Sequence, residues 1–243
     1  MTLRIAGLFA HPDDEAYSVG GSLARWADAG AQVQLLCATR GEGGGDPLVR
    51  ERELAAACEA LGVAPPIILG WPDGGVAGQP RERALSELDA VLGELRPHAV
   101  VTLGPDGAYG HTDHLACTTL LSAAAARLRP SPRVLHAVFP RGTFARVHRL
   151  LRAQLGAGGV ALQASALGVA PGDIHAQVDI GPVADRKRRA VLAHRSQLRS
   201  VDPPVFLVPG LLEELLSVER FQVAGGPPLP PGQRDPLAGL GEE

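Results

Sequence analysis

The sequence predicts an α/β domain with a mostly parallel sheet covered on both faces, and three observations carry that prediction. Short β-rich apolar runs alternate with longer helical patterns over the first 140 residues, as in repeated βαβ units. The apolar runs are those of strands buried on both sides. Each helical pattern closes near a glycine or a proline.

In chain order, the first strand spans Leu3–Ala10, and the helix Val19–Ala29 after it stops at Gly30. A second strand, Gln32–Ala38, leads to the helix Pro47–Leu61, which stops at Gly62. The third strand, Pro66–Gly70, leads to Arg81–Leu95, closed by Pro97. The fourth, His98–Leu103, leads to His114–Leu128, closed by Pro130, and Arg133–Phe139 is the fifth strand. After Pro140 the alternation fades. A basic helix over Thr143–Leu155, a loop over Gln163–Asp173, a strand over Ile174–Ile180 and a helix over Val183–Gln197 make a smaller mixed α/β portion. We expect one domain over residues 1–223, with a core at 1–140 and a region at 141–223 that closes the crevice. Ten of the last twenty residues, Ala224–Glu243, are glycine or proline, which predicts a flexible tail.

With 243 residues, 45% of them apolar, and a mean hydropathy of +0.07, the chain is an ordinary globule. At this length it buries roughly 70–75% of its unfolded surface and needs neither disulfides nor a structural metal. A metal found here is therefore expected to be catalytic. The net charge of −3 and pI near 6.2 exclude the global basic field that drives nucleic-acid binding. Cys37, Cys58 and Cys117 are odd in number, far apart and in no C-x-x-C arrangement, so they read as buried thiols in a reducing compartment. The apolar run Ile5–Ala10 leads into His-Pro-Asp-Asp-Glu rather than a cleavage region. No apolar stretch approaches the roughly 18 residues of a membrane span. We expect a cytoplasmic protein without membrane insertion, with room for a homo-oligomer.

In an open parallel sheet, the loops leaving the carboxyl ends of the strands line the ligand crevice. Here those loops are His11–Glu15, Thr39–Asp46, Trp71–Gly75 and Gly104–His114, and nearly every unusual residue lies in them. His11, Asp13 and Asp14 stand at a turn where Pro12 fixes φ. A bound cation would compensate the adjacent carboxylates; a solvated turn with a helix N-cap would explain them as well. The run Tyr109-Gly-His-Thr-Asp-His114 then adds two histidines to the same rim. His11, Asp14 and His114 make two imidazoles and one carboxylate, a set suited to Zn2+ with a position left open for water. The same set can hold non-haem Fe2+, but oxygenases of that kind present a closely spaced His-x-Asp on a β-barrel, so zinc is preferred. Asp13 cannot easily share the geometry of Asp14 and is left to act as general base. His111 is free in the same way. Protonated, it would stabilise a tetrahedral oxyanion or protonate a leaving amine, with Asp113 orienting its ring.

Five motifs follow one another along the chain: A-H-P-D-D-E at Ala10–Glu15, T-R-G-E at Thr39–Glu42, R-x-x-E-L at Arg50–Leu54, Y-G-H-x-D-H at Tyr109–His114 and A-H-R-S-Q at Ala193–Gln197. In these the chain resembles the LmbE-like, or PIG-L, zinc-dependent de-N-acetylases, which remove acetyl groups from N-acetylglucosamine-containing molecules. The resemblance covers most of the chain and implies a Rossmann-like three-layer sandwich. It implies His11, Asp14 and His114 as metal ligands and Asp13 as base, in agreement with the assignment above. It further implies that His111 and Tyr109 support the oxyanion and that Arg50 and Asp73 contact sugar hydroxyls. The expected partner is a small amino-sugar substrate such as a thiol-sugar precursor, a glycolipid, a chitooligosaccharide or an antibiotic intermediate. Members of the bacillithiol-pathway type carry H-A-D-D where this chain has H-P-D-D. The alternative function is a non-catalytic module that holds a sugar or sugar nucleotide in the same crevice.

Weaker signals surround this constellation. Gly41–Gly45 lacks the Lys-Ser/Thr of a P-loop and reads as a permissive crevice loop, with Glu42 either near the metal or solvated. His194 reads either as a core histidine bonded to backbone or as part of the crevice floor. Trp71 either packs or stacks on a sugar ring, and the arginines at 141, 146, 149 and 152 read either as a phosphate-recognising set or as a solvated helix face. Specificity is expected from Ala77–Pro80 and from the region after Pro140.

Overall fold

The structure, a computed structural model, describes residues 1–145, 148–149, 152–153, 161–201, 204–206, 212 and 215–241. Five parallel strands, β1 (Arg4–Phe9), β2 (Gln32–Thr39), β3 (Ile67–Trp71), β4 (Ala99–Leu103) and β5 (Arg133–Val138), lie in the order β3-β2-β1-β4-β5. The sheet continues past β5 through β9 (Val218–Gly225) to β6 (Ala176–Asp179), with β9 antiparallel to both neighbours. A separate hairpin pairs β7 (Leu198–Val201) with β8 (Pro204–Phe206).

Helices cover both faces. The helices α1 (Asp14–Asp28), α2 (Pro47–Leu61) and α5 (Ala184–Ala193) bury Leu23, Leu54 and Val191 on one side. On the other, α3 (Arg81–Leu95) and α4 (Thr112–Arg127) bury Leu88 and Leu121. Successive β1 residues alternate between the two cores, Ile5 and Phe9 facing the first and Ala6 and Leu8 the second. Each fully buried aliphatic side chain contributes roughly 1.5–3 kcal/mol. The three-layer architecture expected from the sequence is the one observed. Chain order reverses between β1 and β4, so their carboxyl ends open a crevice at the switch point.

The helices α2 and α3 begin and end where the sequence places them. Asp46 caps α2 by accepting from the Leu48 N–H at 2.8 Å, Pro47 takes the first position, and Gly62 closes it in a left-handed conformation at φ 73°. The first helix differs. It starts at Asp14 rather than Val19, because its opening acids are buried, each 1% exposed, and break the apolar periodicity that marks a helix in sequence. Two carboxylates in a first turn also suit the helix dipole. The last helix, α5, ends at Ala193 and not Gln197, since His194 turns the backbone to ψ 54° and a short 3-10 turn, Arg195–Gln197, follows.

Strand β9 has no counterpart in the sequence reading. Its Glu219 is 4% exposed and ion-pairs with Lys187 at 2.7 Å, and it also accepts the Gly21 and Ser22 N–H groups of α1. A buried carboxylate conceals the apolar signal of an inner strand. Gly21 is required beside it: a Cβ there would lie 2.5 Å from Ile180 Cγ2.

The flexible tail expected over 224–243 is instead fastened over its described residues, 224–241. Ala224 and Gly225 belong to β9, and Arg133, 1% exposed, donates to the carbonyls of Pro227, Pro228, Pro236 and Ala238 at 2.7–2.9 Å. Gln177 N–H donates to Arg234 O at 2.9 Å, and Leu229, Leu237 and Leu240 pack on the core. Proline-rich backbone retains its carbonyl acceptors, and one buried guanidinium collects four of them. Of the basic helix expected over Thr143–Leu155, residues 146–147, 150–151 and 154–155 lie outside the described residues. Cys37, Cys58 and Cys117 are buried free thiols. Among the described residues, no helix is long and apolar enough to cross a membrane.

Candidate functional site

His11 leaves the end of β1 and His114 sits in the first turn of α4, beyond β4. His11 Nδ1 is 3.2 Å from His114 Nε2 and 3.4 Å from Asp14 Oδ2, and His114 Nε2 is 3.1 Å from Asp14 Oδ1. Donors around a tetrahedral ion with bonds of about 2.0–2.1 Å stand roughly 3.3 Å apart, so the three fit one face of such a site. All are buried. His114 Nδ1 lies 3.0 Å from Gly107 O, and donation there leaves the Nε2 lone pair facing the cluster. His11 Nε2, with no well-aligned hydrogen bond of its own, stands 3.1 Å from Asp73 Oδ1 and 3.4 Å from Asp113 Oδ2. Carboxylates behind a ligating imidazole orient it and raise its basicity.

The electrostatics call for a cation. Burial opposes charge on His11, yet Asp113, Asp14 and Asp73 outweigh it and raise its pKa well above the ordinary value. Burial likewise opposes charge on Asp14, and His114 and His11 outweigh it and hold Asp14 well below the usual carboxylate range. Two imidazoles and a carboxylate converging in a dry space fit a divalent metal.

Asp13 caps α1 at φ 126°, ψ −29°, a region that costs an L-residue roughly 1–3 kcal/mol. Its N–H donates to Glu15 Oε2 at 3.0 Å, and its carbonyl accepts from Ala16 N–H at 3.0 Å. Burial pushes the Asp13 carboxyl up to about 6, against the opposing pull of Arg50. Arg50, 4% exposed, donates to Gly41 O at 2.8 Å, Pro12 O at 2.6 Å and Asp13 Oδ2 at 3.1 Å. Gly41 permits this at φ 72°, where a Cβ would lie 2.5 Å from the guanidinium. Arg50, expected on sugar hydroxyls, uses Nη1 and Nη2 on the chain itself and on the Asp13 carboxylate, while its Nε has no hydrogen-bond partner among the described residues.

Asp73 also faces inward. It accepts from Gly43 N–H at 2.9 Å while Glu42 accepts from Asp73 N–H at 2.9 Å, so two crevice loops are laced together behind His11. The residue expected on sugar hydroxyls thus stands 3.1 Å from His11 Nε2 through Oδ1. Asp113 accepts from Gly74 and Val76 N–H at 2.7 and 3.1 Å, and its carboxylate therefore does not orient His111 as expected. That task falls to its backbone, whose N–H donates to His111 Nδ1 at 3.2 Å. Burial and the neighbouring His114 and His11 push His111 down to about 3. Tyr109 packs its ring 5.0 Å from His114 and 6.2 Å from His111. Trp71 is packing only: it is 5% exposed and donates to Glu87 at 2.6 Å.

Three sets of contacts escaped the sequence reading. Tyr17 donates to Asp14 Oδ1 at 3.2 Å, and its position one helical turn beyond Asp14 is the signal that would have found it. Asp106 accepts from Ala108 N–H at 3.1 Å and Gly168 N–H at 2.7 Å, tying the strained Ala108 (φ 64°) to the region after Pro140. Glu15 and His194 meet at 2.9 Å beneath Asp13. His194 thus bonds a carboxylate, not backbone.

Residues 7–125 match the family described as PIG-L, GlcNAc-PI de-N-acetylase. A 1D-myo-inositol 2-acetamido-2-deoxy-alpha-D-glucopyranoside deacetylase of Nakamurella multipartita is 32% identical over 94% of this chain and 92% of its own. Its namesake in Saccharomonospora viridis is 35% identical over 90% of this chain and 94% of its own. The crystal structure of a conserved protein from Thermus thermophilus aligns at a TM-score of 0.68 and 28% identity, covering 96% of this chain and 100% of that one.

Proposed function

The chain belongs to the PIG-L, or LmbE-like, de-N-acetylase family, and from that membership we propose that it is a metal-dependent hydrolase of an N-acetyl group on an N-acetylglucosamine-containing small molecule. One observation carries the reading: His11 Nδ1, His114 Nε2 and the Asp14 carboxylate converge at 3.1–3.4 Å in a buried cluster. These three residues would hold the ion, Zn2+ in preference to Fe2+ by the donor set. When bound, such an ion polarises a carbonyl oxygen and makes water acidic enough to attack at neutral pH.

The chain's own residues supply the proton traffic. Asp13 accepts the proton of the attacking water and returns it to the departing nitrogen as the C–N bond breaks, so one water is consumed and acetate and a primary amine leave. Arg50 holds that carboxylate in place from 3.1 Å. His111 accepts the Asp113 N–H at Nδ1, which puts its own proton on Nε2, and a neutral imidazole donates from there to the developing oxyanion. Tyr109 closes the same side of the crevice and is the second group assigned to the oxyanion. Asp73 and Asp113 orient His11.

The full-length similarity to the inositol-linked deacetylases makes N-acetylglucosamine joined to myo-inositol the first substrate to offer. The test is acetate release from that glycoside, from N,N'-diacetylchitobiose and from free N-acetylglucosamine, with the protein stripped by chelator and then reloaded with Zn2+. Metal-restored release from at least one amino sugar is expected. Sugar binding that survives chelation, without acetate release from any of the three, overturns the reading in favour of a binding module.

A further inference from the structure

The A-H-R-S-Q segment is absorbed by none of the roles above, yet every polar side chain in it that the structure bonds reaches back toward the crevice. Ser196 donates through N–H and Oγ to Glu53 at 2.8 and 2.6 Å, and Gln197 donates to Gly44 O at 3.2 Å. His194, 0% exposed, lies with Nε2 2.9 Å from Glu15 Oε1, and Glu15, 1% exposed, uses its other oxygen to accept the Asp13 N–H at 3.0 Å. A chain of two contacts, one buried and one part-buried, therefore runs from the end of α5 to the backbone of the one residue in the crevice with φ 126°. Arg50 grips the opposite side of the same turn through Pro12 O.

A backbone in this region persists only where its surroundings over-determine it. We propose that Glu15 and His194 are positioning residues that hold the strained Asp13 backbone so that its carboxylate, not its amide, faces the reacting atoms. The pair does not touch the substrate. Glu15 fixes the Asp13 amide, His194 fixes the Glu15 carboxylate, and the clasp of Ser196 and Gln197 fixes His194 against α2 and the Gly41–Gly45 loop. Glutamine at position 15 keeps an acceptor for the amide, and its NH2 meets His194 Nε2 once the imidazole carries its proton on Nδ1, whereas alanine offers neither contact.

The proposal rests on the hydrolase reading, and its test separates the two. Metal content, kcat, KM and hydrogen exchange of the Asp13 amide are compared for the wild type, Glu15→Ala and Glu15→Gln. Glu15→Ala should keep the metal and shift KM less than about three-fold while kcat falls about 10–100-fold, the cost of misplacing a catalytic group by an ångström or less. The Asp13 amide should lose protection in the same variant, and Glu15→Gln should recover most of both losses. In an Asp13→Asn background, Glu15→Ala should cost less than about two-fold more, since its effect passes through the missing carboxylate. An equal loss of kcat in both backgrounds, or an Asp13 amide whose protection is unmoved, overturns the proposal. Should Glu15→Ala fail to fold, His194→Asn, too short to reach Glu15, carries the same expectation, and unchanged kcat with unchanged amide protection overturns it. A wild-type protein that releases no acetate refutes the hydrolase reading instead, and the amide-exchange comparison still decides the positioning role.

Discussion

His11 Nδ1 stands 3.2 Å from His114 Nε2 although 103 residues separate them. The contact exists because β1 and β4 are hydrogen-bonded neighbours whose carboxyl ends meet where the chain order reverses. Everything chemical in the crevice is arranged around that pair, including the carboxylates of Asp73 and Asp113 behind His11.

Asp113 is expected to act on metal affinity. Its carboxylate pins Gly74 and Val76 and flanks His11 Nε2, so Asp113→Ala should weaken Zn2+ binding about 10–100-fold, with much of the activity returning in excess Zn2+. Competition with a chelator of known affinity measures it. Unchanged affinity would mean that His11 keeps its orientation without Asp113.

The φ of 126° at Asp13 separates stability from activity. Asp13→Gly and Asp13→Ala both remove the carboxylate proposed as base and should both abolish most turnover. They differ in backbone strain alone, so the glycine variant should be more stable by about 1–2 kcal/mol. Denaturant unfolding of the two compares them directly, and equal stability would place the strain elsewhere.

His136, on β5 and away from the crevice, is 8% exposed, lies 3.0 Å from Ser122 Oγ, and is pushed down to about 4 by burial. An unfolded histidine titrates near 6.5. The unfolded chain therefore takes up a proton over that window while the folded chain does not. The contribution is whole above about pH 6.5 and is lost as pH falls toward 4, by at most about 3 kcal/mol. Unfolding of His136→Gln across the same window should show a correspondingly shallower acid decline; parallel curves would assign the decline to other groups.

Arg133 anchors the C-terminal stretch through four carbonyls. Arg133→Ala strands those acceptors and should cost about 3 kcal/mol. Limited proteolysis should then cut within 226–241 well before it cuts the sheet. Retained resistance would show that Leu229, Leu237 and Leu240 hold the stretch unaided.

The parallel core was legible because buried strands and capped helices leave local marks: Asp46-Pro47 opens α2 and Gly62 closes it within a residue of expectation. The cluster proposed to hold the metal was legible for a different reason, since His11, Asp14 and His114 all follow strand ends, and topology alone brings strand ends to one rim. Partners of polar groups were not. Arg50 and Asp73 carry no mark of whether they face a sugar or the chain, and Asp113 differs from its expected role only in which of its atoms meets His111. Strand β9 was hidden by Glu219, whose buried charge is met by Lys187 and by the Gly21 and Ser22 N–H groups.

By itself the sequence determined the layers of the domain, the rim on which its chemistry sits and the donors able to grip a metal, because these follow from local propensity and from the order of strands. The tertiary structure alone decided how each charge is spent. Which carboxylate backs which imidazole, whether Arg50 turns inward, and whether a proline-rich end is loose or fastened depend on partners distant in sequence, whose distances and angles no local pattern encodes.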